Sequence, residues 1–190
     1  NNFGKICDLA IDYQIFSVSG VSEDIYKDFI AFVKDFFRQD NAIGLNITIP
    51  FKTHAYELCD ELSDISDATK SVNTICMRDG KLYGDSTDGY GFISDYHNKF
   101  EPLKDKNILI LGAGGAVRGI LPNIIKENPK SIFIYNRSKN IAKAESVVQD
   151  FTNFAAGFDV SLALFDKNNK TAKYDVLINA ATDKFITDKN

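Results

Sequence analysis

The stretch that decides the fold is Asn107-Ile-Leu-Ile-Leu-Gly-Ala-Gly-Gly-Ala116. Asn107 to Leu111 is a continuous apolar run of the kind a parallel sheet buries on both faces. Gly112, Gly114 and Gly115 follow at once, and a helical pattern then runs through about Ile125. Glycines between a buried strand and a helix permit a tight turn. They also let backbone N–H groups approach a pyrophosphate, where the helix N-terminus adds partial positive charge. A glycine triplet alone also fits a plain turn; the strand before it and the helix after it make the dinucleotide reading the stronger one. The third small position of the usual fingerprint is Val117, a departure that loosens the approach of helix to strand.

Downstream, the rhythm continues. Ser131 to Tyr135 reads as a strand, Ile141 to Phe151 as a helix, and Val160 to Leu164 and Asp175 to Asn179 as two more strands. Strand alternating with helix is the signature of a doubly wound sheet. The end of the second strand selects the nucleotide. An NAD site places an acid there to accept from the ribose 2′-OH, and a methyl-donor site commonly does too. Here the strand ends Tyr135-Asn-Arg-Ser138. Arg137, helped by hydrogen bonds from Asn136 and Ser138, would attract a 2′-phosphate, which favours NADP over NAD and weakens a methyltransferase reading.

Upstream, Glu101-Pro-Leu-Lys-Asp-Lys106 is polar and contains proline, a plausible boundary. We therefore expect two domains, 1–100 and 101–190. In the first, Tyr13 to Val18 is a β-prone run, and Ser22 caps a helix whose apolar face is Ile25, Phe29, Phe32, Val33, Phe36 and Phe37. Ile43 to Ile49 reads as a strand ended by Pro50, followed by a helix through Tyr56 and Cys59. Val72 to Met77 and Lys81 to Tyr83 flank Asp79-Gly80, a hairpin signal.

Composition removes several classes. The chain has 190 residues and a net charge of −4, with no basic stripe for nucleic acid. No apolar run approaches the roughly 18 residues that span a bilayer, and no secretory signal is visible. Cys7, Cys59 and Cys76 are scattered, and with only His54 and His97 a zinc site is improbable, so a reducing cytoplasm is expected. The absence of an initial Met and the stop at Asn190, just past a strand-like segment, read as part of a longer protein.

The first half also holds a polar constellation. Asn46-Ile-Thr-Ile-Pro-Phe-Lys52 sets Thr48 and Lys52 at the end of a strand, with Asn46 and Thr48 on one side. Asn73 interrupts an apolar strand, and Asp88 follows the hairpin in Gly84-Asp-Ser-Thr-Asp-Gly89. Each alone has an ordinary structural use, Asp88 as the cap of the helix from Gly89. Beside a dinucleotide fold they make a pocket for a small polar substrate.

The strings NITIPFK, SVNTI, DGKLYGDSTDGYGF, LGAGGAVRG, YNRSKNIAKA and YDVLINAAT, in this order, together resemble the shikimate dehydrogenase family from about residue 40 to 181. The resemblance implies an α/β chain of two domains: an N-terminal α/β substrate domain and a Rossmann-like doubly wound parallel-sheet NADP domain. It implies reversible NADPH-dependent reduction of 3-dehydroshikimate to shikimate in aromatic amino-acid biosynthesis. Lys52 falls on the family's catalytic lysine and Asp88 on its paired aspartate; Thr48 and Asn73 fall on substrate contacts. Gly112, Ala113, Gly114, Gly115 and Ala116 match the phosphate loop, Asn136, Arg137 and Ser138 the 2′-phosphate grip, and Ile178, Asn179 and Ala180 the strand end near the cofactor. The chain departs from the family at Ser86 (usually Asn), at Lys70-Ser71 (usually Gly-Ala) and at Ala181-Thr182 (usually Thr-Ser). The family's N-terminal serine pair and C-terminal glutamine are not among these residues. The expected partner is a small-molecule substrate, with neither nucleic acid nor membrane and no metal; a homodimer is compatible with the sequence, which does not set oligomeric state.

The chemistry so implied needs a hydride acceptor and a proton relay, with Lys52 and Asp88 acting as a coupled pair beside the reacting hydroxyl. Two alternatives stay open: an NAD-dependent quinate/shikimate dehydrogenase, and a non-catalytic small-molecule sensor of the same fold.

Overall fold

In the computed structural model the described residues are 8, 10–18, 24–137, 140–166, 168 and 173–181. The chain divides into two compact units, Asn1–Ile43 and Gly44–Asn190.

In the first unit, helix α1 (Ile25–Phe36) starts behind Asp24 rather than Ser22. The Asp24 carboxylate accepts from the backbone N–H of Tyr26 at 3.1 Å and of Lys27 at 3.4 Å. One acidic side chain thereby satisfies two first-turn donors and complements the helix dipole; Ser22 lies outside the described residues. Phe29 and Val33, four apart, are buried as the period required, and Phe16 packs on Phe32 and Phe36. Tyr13 to Val18 is not a strand: the segment is irregular and Ile15 is 90% exposed. A β-prone run needs a neighbouring strand to take its backbone bonds, and no strand among the described residues pairs with it.

The second unit holds two four-stranded sheets. The first comprises β1 (Gly44–Asn46), β2 (Glu61–Leu62), β3 (Thr74–Arg78) and β4 (Lys81–Asp85), in the order β1-β3-β4-β2. β3 and β4 form the expected hairpin, with Arg78 opposite Lys81. Both turn residues, Asp79 (φ 50°) and Gly80 (φ 78°), are left-handed, which matches the twist of the strands they join. β1 is shorter than the run from Ile43 to Ile49. One further ladder bond, Ile47 N–H to the Asn73 carbonyl at 2.7 Å, extends it, and then the chain turns, with Phe51 N–H donating to the Thr48 carbonyl. The alternation holds through this stretch: Leu45 and Ile47 are buried, Asn46 and Thr48 exposed. Helices α2 (Lys52–Leu58) and α3 (Asp64–Thr69) complete this part. Ser63 caps α3 by accepting from Ser66 N–H.

The second sheet is entirely parallel: β5 (Asn107–Leu111), β6 (Ser131–Tyr135), β7 (Ser161–Leu164) and β8 (Val176–Asn179), in the order β7-β6-β5-β8. The chain steps outward from β5 to β7, then crosses back to place β8 on the other side of β5. The carboxyl end of β5 is therefore the switch point at which an open α/β sheet leaves a crevice. The core is built on Ile108, Ile110, Ile132 and Ile134, all fully buried, against Leu121 of helix α5 (Gly115–Lys126) and Phe151 of helix α6 (Ile141–Ala156). Val117 is fully buried in it too. Helix α6 runs a turn past the expected Phe151 because Ala155, four residues on, continues the same buried face. The fold class is α/β with a Rossmann-like parallel sheet. Helix α4 (Asp88–His97) leads from the first sheet toward β5 and packs along α5. Among the described residues no helix is long and apolar enough to cross a membrane.

Candidate active site

Lys52 is the first residue of α2, placed there by the turn at Thr48 to Phe51; its backbone carbonyl accepts from Val72 N–H, tying the helix start to the segment that enters β3. Asp88 is the first residue of α4 rather than its cap; Thr87 holds the cap position without a side-chain capping bond to the helix. This frees the Asp88 carboxylate for other partners, and it has two. Lys52 Nζ donates to Oδ2 at 2.8 Å, and Asn73 Nδ2 donates to Oδ1 at 2.8 Å. Residues 36 apart in the chain thus meet in an ion pair that is open to solvent, with the lysine side chain 27% and the aspartate 47% exposed.

Asn73 is the hub of this arrangement. It is buried, and its Oδ1 accepts from Thr87 N–H at 3.0 Å, Thr87 Oγ1 at 3.2 Å and Thr74 Oγ1 at 3.0 Å, while its Nδ2 holds Asp88. One side chain satisfies the turn between β4 and α4 and orients the carboxylate beyond it. Thr48 is exposed on the turn that leads into Lys52. The sequence reading placed Lys52, Asp88 and Asn73 in one pocket without indicating that Asn73 is the member that joins the others.

Two departures have structural counterparts. Lys70 stands where glycine is expected, and its φ of 52° is the left-handed conformation glycine adopts freely. Its ammonium donates to Asp67 at 2.7 Å and to the Tyr56 hydroxyl at 2.9 Å, which holds the Asp67 carboxyl below the usual carboxylate range and Lys70 above its own. Ser86 is buried, and its N–H donates to Asp85 Oδ1.

The glycine turn sits at the carboxyl end of β5. Gly112 has φ 112°, and a Cβ there would stand 3.1 Å from the Ala180 backbone, so the turn passes against the end of β8. Gly112 N–H donates to the Tyr135 carbonyl and Ala180 N–H to the Leu111 carbonyl, which locks three strand ends together. Ala113 is buried; Gly114, Gly115 and Ala116 are exposed. Nothing lies within 4 Å of where a Cβ would be at Gly114 or Gly115, and no side chain caps α5. A cleft of about 440 Å³ opens here, lined by Gly114, Gly115, Arg118, Lys143 and Ser146. Open backbone donors at a helix N-terminus with two cations beside them suit a diphosphate. Arg118 is braced by Asp150 at 2.7 Å and Ser146 at 2.8 Å.

At the end of β6, Asn136 turns inward. Its Oδ1 accepts from Arg137 N–H and its Nδ2 donates to the Asn140 carbonyl, so it shapes the loop that carries Arg137. Ser138 lies outside the described residues. Asn179 likewise folds back, accepting from Ala181 N–H. These donor sets fit a phosphorylated dinucleotide.

Against known proteins, residues 1–75 match the family model for the shikimate dehydrogenase substrate binding domain, and residues 95–189 that for shikimate / quinate 5-dehydrogenase. A curated relative, the NADP(+) shikimate dehydrogenase of Chromobacterium violaceum, is 35% identical over 95% of this chain and 62% of its own length. A shikimate dehydrogenase solved in complex with NADP+ superposes with a TM-score of 0.72 at 31% identity, over 94% of this chain and 58% of that one. Shikimate 5-dehydrogenase from Listeria monocytogenes, solved with shikimate and NAD, gives 0.71 at 30% identity, over 82% and 55%. The chain spans less than two thirds of the length of these relatives. With a Lys–Asp pair at the starts of α2 and α4, a glycine turn at the switch point of the parallel sheet and both family models matched in order, the chain belongs to the shikimate dehydrogenase family.

Proposed function

We propose that the protein is an NADP-dependent oxidoreductase that reversibly reduces 3-dehydroshikimate to shikimate, in the pathway to the aromatic amino acids. The observation that carries this reading is the Lys52–Asp88 pair at 2.8 Å, held by Asn73 and open to solvent in the same compact unit as the glycine turn. Residues 1–100 form the substrate domain and 101–190 the cofactor domain, a division the two family-model matches support. The scattered cysteines support a reducing, cytoplasmic setting; a homodimer is compatible with this reading, and light scattering tests it.

The bound nicotinamide supplies a hydride acceptor or donor at the substrate carbon. Lys52 Nζ holds the proton that leaves or joins the substrate oxygen. Asp88 accepts a hydrogen bond from Lys52 and orients the ammonium toward the reacting hydroxyl, while Thr48 and Asn73 contribute polar contacts to the substrate. The backbone of Gly112 to Ala116 takes the diphosphate, Asn179 and Ala180 border the nicotinamide half, and Arg137, on a loop shaped by Asn136 and joined by Ser138, takes the 2′-phosphate.

The test is turnover with shikimate, comparing NADP with NAD and following the reduced cofactor by absorbance. Lys52→Ala loses about 10²–10⁴ in kcat, with NADP affinity unchanged; full turnover without Lys52 refutes its role. Arg137→Asp penalises NADP far more than NAD, and equal losses favour the NAD-dependent alternative.

A further inference from the structure

Helix α4 opens at Asp88, and α5 is the helix that the glycine turn feeds; the two pack side by side. At this seam Gly89 lies directly against Asn123. A Cβ added at Gly89 would collide with Asn123 Oδ1 and stand 2.6 Å from its Cγ and 2.9 Å from its Cβ. Only a glycine leaves room for the amide. Asn123 is 5% exposed, and its Oδ1 is buried with no N–H or O–H donor among the described residues. A buried acceptor left in this way costs stability, and an apolar residue of the same branched outline, such as the bulkier leucine, would avoid that cost. One turn earlier on α5, a Cβ at Gly119 would lie 3.4 Å from Asp88 Oδ2 and 3.6 Å from its Cβ. The Asp88 side chain is therefore bracketed by Lys52 and Asn73 on one side and by α5 on the other. At the far end of the seam, His97 Nε2 meets Glu127 Oε2 at 2.8 Å.

The geometry points to Asn123 as a positioning residue for Asp88. Its amide, wedged against Gly89, sets how closely α4 approaches α5, and so where the neighbouring carboxylate stands relative to the glycine turn at the head of α5. The catalytic consequence rests on the proposed role of Asp88; the placement does not.

The experiment compares Asn123→Leu, Gly89→Ala, the double variant Gly89→Ala/Asn123→Ala, and Val147→Ala, which truncates a buried side chain of α6 away from the seam. One readout is the 13C carboxyl resonance of Asp88, assigned by its loss in Asp88→Asn. The other is kcat with shikimate and NADP. Asn123→Leu and Gly89→Ala move the resonance and lower kcat by about tenfold or more, as expected when a catalytic group is displaced by a fraction of an ångström, while the KM for NADP holds. The double variant restores both, because the smaller residue at 123 readmits the methyl group. Val147→Ala lowers Tm and leaves the resonance in place. A resonance that stays put in both seam variants, or that moves equally in Val147→Ala, overturns the inference. If Gly89→Ala fails to fold, the Asn123→Leu resonance decides. If the wild-type chain shows no turnover, the functional reading falls alone, and the resonance still tests the placement.

Discussion

Asn73→Ala tests the hub of the site directly. The asparagine accepts three hydrogen bonds at Oδ1 and gives one from Nδ2. Removing the amide leaves the two threonine hydroxyls free to rotate to other acceptors. The Thr87 N–H cannot move, and a backbone donor stranded in a partly buried place costs about 1–3 kcal/mol. Asp88 Oδ1, half exposed, regains much of its lost bond from water. The expected loss is about 2 kcal/mol, or roughly 4–8 °C in Tm for a chain of this size, with a fall in kcat because the carboxylate keeps only one of its two anchors. Asn73→Asp sharpens the test. It replaces the donor facing Asp88 by a second carboxylate, so at pH 7 it is less stable than Asn73→Ala despite its nearly native shape. That deficit shrinks as the pH falls into the carboxylate range, around 4. Urea denaturation of both variants at two pH values decides the matter. If Asn73→Asp matches wild type at pH 7, the hydrogen bond from Nδ2 to Asp88 does not exist and the hub is wrongly drawn.

Gly112→Ala forces a side chain into φ 112° and against the Ala180 backbone. A loss of about 1–3 kcal/mol, with weakened NADP binding by fluorescence titration, is expected; an unchanged Tm would refute the strained turn. Burial, reinforced by Asp60 and Cys76, pushes the Cys59 thiol up from 9.0 to about 11. Because the folded value is the higher one, the stability tied to this protonated thiol is complete below pH 9 and is lost as pH rises toward 11. After discounting for partial exposure that loss is about 1–2 kcal/mol, and the pH dependence of urea unfolding between 8 and 10.5 is shallower by this amount in Cys59→Ala; parallel curves would refute it.

The parts of the fold legible in the sequence are those whose signal is local. Asn107–Leu111 and Ser131–Tyr135 are the strands expected, because an apolar run flanked by turn residues is both the pattern and its physical cause. The Asp79-Gly80 hairpin is legible for the same reason. Glu61–Leu62 and Asp64–Thr69 are not: two and six residues carry no period, and they exist because β4 and the Ser63 cap hold them. At Tyr13 to Val18 the pattern was present and the segment is nonetheless irregular, with no strand in either sheet of the described residues beside it, which shows the limit of alternation read alone. The site divides in the same way. Lys52, Asn73 and Asp88 could be singled out as polar residues in apolar or turn settings, and the structure brings them together. Asn123 could not: within an amphipathic helix an asparagine reads as surface, and only the approach of α4 reveals it as buried. The one hint was Gly89, since a glycine one residue into a helix, where it costs up to about 1 kcal/mol against alanine, asks what lies too close for a methyl group. Here the answer is the helix that the glycine turn feeds, so the residue that looked like part of a loop motif is the contact at which that helix meets the start of α4, where Asp88 stands.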